Sequence, residues 1–164
     1  MPMAIAITVR RAREQDAERV SACLESAFAP HRPQYTCLAY ESTVLSPAEV
    51  RERMRTMTVY VADLPDFEVV ATLASSVEGK HGHLRGMAVL PAWQGHFVAD
   101  HLLRTVEDHL IDAGCECLTL DTTQPLERAI RFYERNGFLR SGKVTDFHGM
   151  PLHEFVKPLP VRRY

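Results

Sequence analysis

Apolar positions along the chain recur with two different periods, and the changes of period mark out the elements. Residues 5–10 alternate like a β-strand. From Asp16, a helix-opening residue, the period lengthens, and Val20, Cys23, Leu24, Ala27 and Phe28 return at helical spacing until Ala29-Pro30-His31-Arg32-Pro33 ends the run. Ser46-Pro47-Ala48-Glu49 predicts a second helix start. Ser46 caps, Pro47 takes the first turn, and Glu49 closes a capping box ahead of Val50, Met54 and Met57. Strands are then predicted at 58–62, 68–77 and 83–90. They are separated by the turn Leu64-Pro65-Asp66 and a tight connection at 79–82, and Pro91 ends the third.

Val98, Ala99, Leu102, Leu103, Val106, Leu110 and Ile111 form an apolar helical stripe, while Asp100, Arg104 and Asp108 take other faces. The spacing predicts a helix over 96–113, capped by Gly114. Residues 117–120 read as a short buried strand. Pro125 opens a helix through Ala129, Ile130, Phe132 and Tyr133, which Asn136-Gly137 ends. Two last strands, near 138–147 and 152–157, flank a turn at 148–151. The short links make the three middle strands antiparallel, and the 96–113 crossover favours a parallel pair on either side of it. The expected class is α/β: a mixed, mostly antiparallel central sheet with helices packed on it.

Composition narrows this further. At 164 residues and 46% hydrophobic, the chain suits a single domain over 1–164, with no repeat or linker. A formal charge of −2 and a pI of about 6.4 argue against a nucleic-acid partner. Lysine occurs only at Lys80, Lys143 and Lys157, so an arginine-lined anion site is the natural use of the positive charge. No apolar run is long enough for a membrane span, and MPMAIAITVRR does not read as a signal peptide. Cys23, Cys37, Cys115 and Cys117 form neither a CxxC pair nor a metal set. They read as free thiols in a reducing cytoplasm, with Cys115 and Cys117 on one face of a strand as small apolar residues.

Three stretches carry chemistry. The first is Met87-Ala88-Val89-Leu90-Pro91, then Gln94-Gly95-His96-Phe97-Val98-Ala99, then Leu102-Leu103; the second is Leu118-Thr119-Leu120-Asp121-Thr122; the third runs from Ala129 through Tyr133-Glu134-Arg135-Asn136-Gly137 to Phe138. In this order and spacing the chain resembles the GCN5-related N-acetyltransferase (GNAT) family over nearly its whole length. The resemblance implies helices on both faces of the sheet and a splay between the fourth and fifth strands. It also implies acetyl-CoA as acyl donor, no metal, and a small-molecule or peptide amine as partner. No membrane partner is expected, and a homodimer is compatible with the reading.

The resemblance also assigns residues. The backbone of Met87, Ala88 and Val89 would pair with the pantetheine arm like an added strand. Gln94, Gly95, His96, Phe97, Val98 and Ala99 would form the pyrophosphate loop at a helix N-terminus, where N–H groups and the dipole favour an anion. Without the other two stretches, Gly95 would be read as shaping a turn, and Val98 and Ala99 as packing. Arg128 and Arg135 would meet cofactor phosphates. Tyr133 would protonate the departing thiolate, and His83 would take the proton of the attacking ammonium. Glu41, Asp121 and Glu68 are weaker base candidates. Tyr35, Tyr40 and Glu41 either receive the acceptor amine by cation–π contact and charge pairing or equally pack the two helices together, within walls formed by 28–46 and the final hairpin around Asp146, Phe147 and His148.

Two positions depart from the family pattern. Phe97 stands where a glycine is expected, and Leu126 where many relatives carry Asn. At Phe97 a helical φ, which suits any L-residue, is expected. Its ring either turns aside into the protein or covers the diphosphate groove. The expected activity is direct acetyl transfer to a primary amine in a ternary complex. The alternative is a non-catalytic acyl-CoA-binding or regulatory module with a degenerate loop.

Overall fold

Among the described residues, seven strands form one sheet in the order β1-β2-β3-β4-β5-β7-β6, and five α-helices pack on it. The structure is a computed structural model that describes residues 6–66, 68–123 and 125–162. The strands are β1 (Thr8–Arg11), β2 (Thr58–Asp63), β3 (Val69–Glu78), β4 (His81–Val89), β5 (Cys117–Thr123), β6 (Leu139–Phe147) and β7 (Met150–Pro158). The helices are α1 (Ala17–Phe28), α2 (Cys37–Thr43), α3 (Pro47–Thr56), α4 (Val98–Asp112) and α5 (Glu127–Arg135). Every neighbouring pair of strands is antiparallel except β4–β5. That exception follows from α4, a crossover that returns the chain to the same end of the sheet.

Apolar side chains fill both faces. Val20, Cys23, Leu24 and Phe28 of α1 and Val50 of α3 pack on one face against Val61, Val69 and Ala88. Leu102, Leu103, Val106 and Leu110 of α4 and Ile130 and Tyr133 of α5 cover the other, against Leu73, Leu84, Leu118 and Leu120. Arg10 ties the first strand down, donating to Asp16 at 2.7 Å and to Asp63 at 2.8 Å.

The Ser46 capping box forms as the sequence predicts, with Ser46 Oγ accepting from Glu49 N–H and Glu49 accepting from Ser46 N–H. Several boundaries move. Of the first predicted strand, Ile5 lies outside the described residues, and β1 begins at Thr8. β4 starts two residues early, at His81, because the turn before it needs only Gly79 and Lys80. β5 runs on to Thr123 because β7 pairs with it along its whole length. Cys115 precedes β5 and is buried in the α4–α5 core, whereas Cys117 opens the strand half-buried, so the two do not share a strand face. α5 begins at Glu127, after Pro125. Helix α2 is an element the hydrophobic pattern does not announce; Thr36 caps it, accepting from Ala39 N–H at 3.2 Å.

Pairing between β4 and β5 runs from His81↔Cys117 to Leu84↔Leu120 and stops. Beyond it β4 continues to Val89 along β3 and β5 to Thr123 along β7. The sheet is therefore splayed between its fourth and fifth strands.

Candidate active site at the splay

Strands that part leave backbone unpaired and a gap that side chains alone do not close. A cavity of about 730 Å³ lies at this gap and is lined by residues from elements on both faces of the sheet. That volume lies within the range of small-molecule sites.

A β-bulge sets its shape. The register between β3 and β4 slips between Thr72 and Ala74, where Gly86 adopts φ +70°. A glycine takes this conformation without strain. The bulge reverses the alternation of β4. His81, His83 and Arg85 lie opposite the Leu84 face before it, whereas Met87 and Val89 pack with the α4–α5 core after it and Ala88 joins the α1–α3 core.

On the α4–α5 side, Gln94 Nε2 donates to the Val89 carbonyl at 3.1 Å, and Arg128 donates to Gln94 Oε1 at 3.2 Å. One carboxamide thus ties the end of β4, the following loop and α5 together. The first bond of α4 runs from His101 N–H to the Phe97 carbonyl, so the N–H groups of Val98, Ala99 and Asp100 have no intrahelical acceptor. Arg128, Arg131 and Arg135, one face of α5, line the same cavity as Ala99 and Asp100 of this helix start. Thr122 also lines it, and its buried Oγ1 has no hydrogen-bond partner among the described residues. Bare N–H groups at a helix start, three arginines, an unpaired strand edge and an unpartnered hydroxyl suit a diphosphate ester on an amide-bearing arm, and hence acetyl-CoA.

Phe97 departs from expectation. Its φ is +61°, not helical, and Gly95 in the same loop stands at +81°. The ring neither folds into the protein nor is held in a groove; it is 79% exposed at the rim of the cavity. A non-glycine residue in the left-handed region costs about 1–2 kcal/mol, so the loop keeps the backbone a glycine would take. His96 lies exposed against Trp93, with ring centroids 5.7 Å apart, and does not line the cavity. The Val98 side chain is core, leaving only its backbone for a ligand.

Tyr133 is buried between Phe132 and Phe138 and reaches the cavity. Its hydroxyl has no hydrogen-bond partner among the described residues, and burial pushes its pKa upward. The phenol stays protonated and free to donate.

Across the splay, His83 Nδ1 lies 2.8 Å from Thr119 Oγ1, and His81 Nε2 lies 2.7 Å from the same oxygen. His83 Nε2 stands 3.8 Å from Asp121 Oδ2. Burial lowers the His83 pKa from its ordinary 6.5; Asp121 opposes that shift, and Arg85 and His81 add to it. Burial raises the Asp121 carboxyl, with His83 opposing.

The far wall comes from 28–43 and the last hairpin. Tyr35 shares a 2.8 Å hydrogen bond with Thr123 Oγ1 and packs edge-on against Phe28 and Tyr40. Thr36 Oγ1 donates to the His148 carbonyl, and Ser42 Oγ lies 3.1 Å from His148 Nε2, so the hairpin tip is pinned onto α2 with Phe147 facing the cavity. Glu41 is exposed on α2 and Glu68 is exposed before β3; neither lines the cavity. The structure thus brings Met87, Ala88, Val89, Gln94, Gly95, Phe97, Ala99, Arg128, Tyr133, His83 and Tyr35 to one cavity. It adds Arg53, Arg85, Thr122 and Arg131, of which the i, i+3, i+7 spacing of Arg128, Arg131 and Arg135 is the one signal visible in the sequence.

Comparison with known proteins agrees with this fold. The profile of the Acetyltransferase (GNAT) family matches residues 22–138. A curated relative, the IAA acetyltransferase of Azospirillum brasilense, is 32% identical over 88 residues, which span 53% of this chain and 58% of the relative. Among solved structures, the PaiA N-acetyltransferase from Thermoplasma acidophilum in complex with coenzyme A has a TM-score of 0.78 at 16% identity, covering 94% of this chain and 100% of the other. The ribosomal-protein-S18-alanine N-acetyltransferase from Escherichia coli has a TM-score of 0.75 at 16% identity, covering 96% and 97%. At such identities the structural matches speak for the fold. The profile match spans most of the chain: it belongs to the acetyltransferase (GNAT) family.

Proposed function

We propose that this chain transfers an acetyl group from acetyl-CoA to a primary amine by direct attack within a ternary complex. The observation that carries the reading is the splay itself, which joins the bare start of α4 on one face to the His83–Asp121 pocket on the other. Acetyl-CoA supplies an activated acyl thioester. The chain's own residues do the rest. The unpaired edge of Met87, Ala88 and Val89 aligns the pantetheine arm, and the loop from Gln94 to Ala99, with Arg128, holds the diphosphate.

His83 is the proposed base. The tautomer with its proton on Nδ1 donates to Thr119 Oγ1, which in turn donates to His81 Nε2. Nε2 of His83 is then left free to take a proton from the acceptor. Tyr133 is the proposed acid: held neutral by burial, it can donate to a developing thiolate. Tyr35 is proposed to wall the acceptor end. Isothermal titration with acetyl-CoA, paired with thiol release on an amine panel, tests the reading; binding followed by amine-dependent thiol release is expected.

The strained, exposed Phe97 favours a second reading, a non-catalytic acyl-CoA-binding module. Binding without thiol release on any amine, or binding that appears only in Phe97→Gly, would support it.

A further inference from the structure

Among the described residues, five arginines and two aspartates line the cavity. Arg128, Arg131 and Arg135 belong to the α5 face, where phosphates are expected. Arg53 and Arg85 do not. They stand on the acceptor side, around the β4 bulge, where the transfer chemistry gives no cation a task.

Arg53 reaches from α3 under Gly86. A Cβ built on Gly86 would meet Arg53 Nη1 at 2.5 Å, so the bare glycine is the space in which the guanidinium rests. The side chain is half-buried, yet no hydrogen bond or ion pair of its guanidinium occurs among the described residues. Its nearest acidic influence is Glu49, engaged in the Ser46 capping box. Burial, then repulsion from Arg85, pulls the Arg53 pKa down to about 10, still charged at neutral pH. Two cations that approach each other at the wall of a cavity, one of them half-buried and unpaired, lack an anion.

The opposite charge lies across the gap. Leu84 and Leu120 are the last paired residues, so Arg85 on β4 and Asp121 on β5 are the first to face each other where the sheet parts. Among the described residues, Asp121 is the one acid lining this side of the cavity. A cationic corner and an anionic corner at one splay match a molecule that carries an ammonium and an oxyanion together. Resting on the acetyl-transfer reading above, we infer that the acceptor is a small amine that also bears an oxyanion, such as the carboxylate of an amino acid, received by Arg53 and Arg85 while its ammonium faces Asp121 and His83.

Phenylalanine, methionine and lysine, each beside its primary carboxamide, separate this inference from its foundation. The acid and the amide share the amine and the side chain and differ in one negative charge. Two readouts are taken on the full chain: acetyl-CoA-dependent thiol release, and calorimetric titration of each compound into CoA-saturated protein. At least one acid is expected to exceed its amide by about tenfold or more in both readouts, because a site built to pair a charge rejects the analogue lacking it. Arg53→Gln should bring the acid-to-amide ratio toward one, and Arg53→Lys should restore part of it. Arg85→Gln, at an exposed position, should reduce the ratio without threatening the fold, and thermal melts of all three variants check folding. Amides turned over or bound as well as acids, a ratio unmoved in Arg85→Gln and in folded Arg53 variants, or no response to any compound in either readout would overturn the inference. Acid-selective binding that follows Arg53, without thiol release, would uphold the anion site and sink the transfer reading instead.

Discussion

His83 and Thr119 are register partners across the one parallel strand pair, and their side chains meet at 2.8 Å one residue before that pair parts. The imidazole is therefore fixed by paired backbone on one side and open to the cavity on the other. His83→Gln should lower kcat by about 100-fold, the lower end of general-base effects, with little change in acetyl-CoA affinity. A loss seen only in the KM for acetyl-CoA would remove His83 from the proton pathway.

The pH dependence has a definite sign. Burial holds the His83 pKa below its ordinary 6.5, so the free base persists to lower pH than an exposed histidine allows. kcat/KM should rise with pH and level off with an apparent pKa under 6.5 for His83. The same shift is a stability statement. The unfolded chain binds the proton more tightly, so this group's contribution is complete above 6.5 and is lost as pH falls toward the depressed value. Thr119→Val removes the Nδ1 partner and should move the kinetic pKa while leaving the acetyl-CoA dissociation constant in place.

Phe97 holds a backbone conformation proper to glycine. Phe97→Gly should relieve about 1–2 kcal/mol of left-handed strain, offset by the roughly 0.5–1 kcal/mol entropy cost of a glycine. The expected outcome is unchanged or slightly raised thermal stability with tighter acetyl-CoA binding. Phe97→Ala keeps the strain and should not gain stability. Equal melting temperatures and affinities in all three proteins would deny the loop its strain.

Gln94 is held at both ends, by Arg128 and by the Val89 carbonyl. Gln94→Ala frees both, and at about 1 kcal/mol for a typical hydrogen bond the KM for acetyl-CoA should rise several-fold while kcat with saturating cofactor holds. A fall confined to kcat would place Gln94 with the chemistry rather than with cofactor binding.

How much of this was legible depends on the physical range of each signal. The Ser46 box, the α4 stripe and the crossover are local patterns, and they yield those two helices and the parallel pair, whereas helices on both faces and the splay follow only from the family resemblance. Helix α2 was not legible because seven residues give barely two turns of periodicity and only Ala39 of them is buried. The conformation of Phe97 was hidden because nothing in its neighbours' identities dictates a positive φ; the expectation of a helical φ rested on α4 starting at His96, two residues too early. Arg53 and Arg85 were invisible for a different reason. One lies on an amphipathic helix and the other on a strand, each an ordinary surface position in sequence, and only the bulge at Gly86 brings them to one cavity. Glu41, whose charge beside Tyr35 and Tyr40 suggests an amine site in sequence, is exposed on α2.

Acetyl transfer at the splay is tested most directly by a single-turnover experiment with labelled acetyl-CoA and the wild-type chain beside Tyr133→Phe, separating N-acetyl product, free CoA and protein-bound label. Direct transfer predicts equimolar N-acetyl amine and CoA, no label on the protein, and a rate lowered by about 100-fold or more in Tyr133→Phe. Acetyl-CoA that binds and is recovered intact in the presence of every amine, or label that accumulates on the protein before product forms, would contradict it.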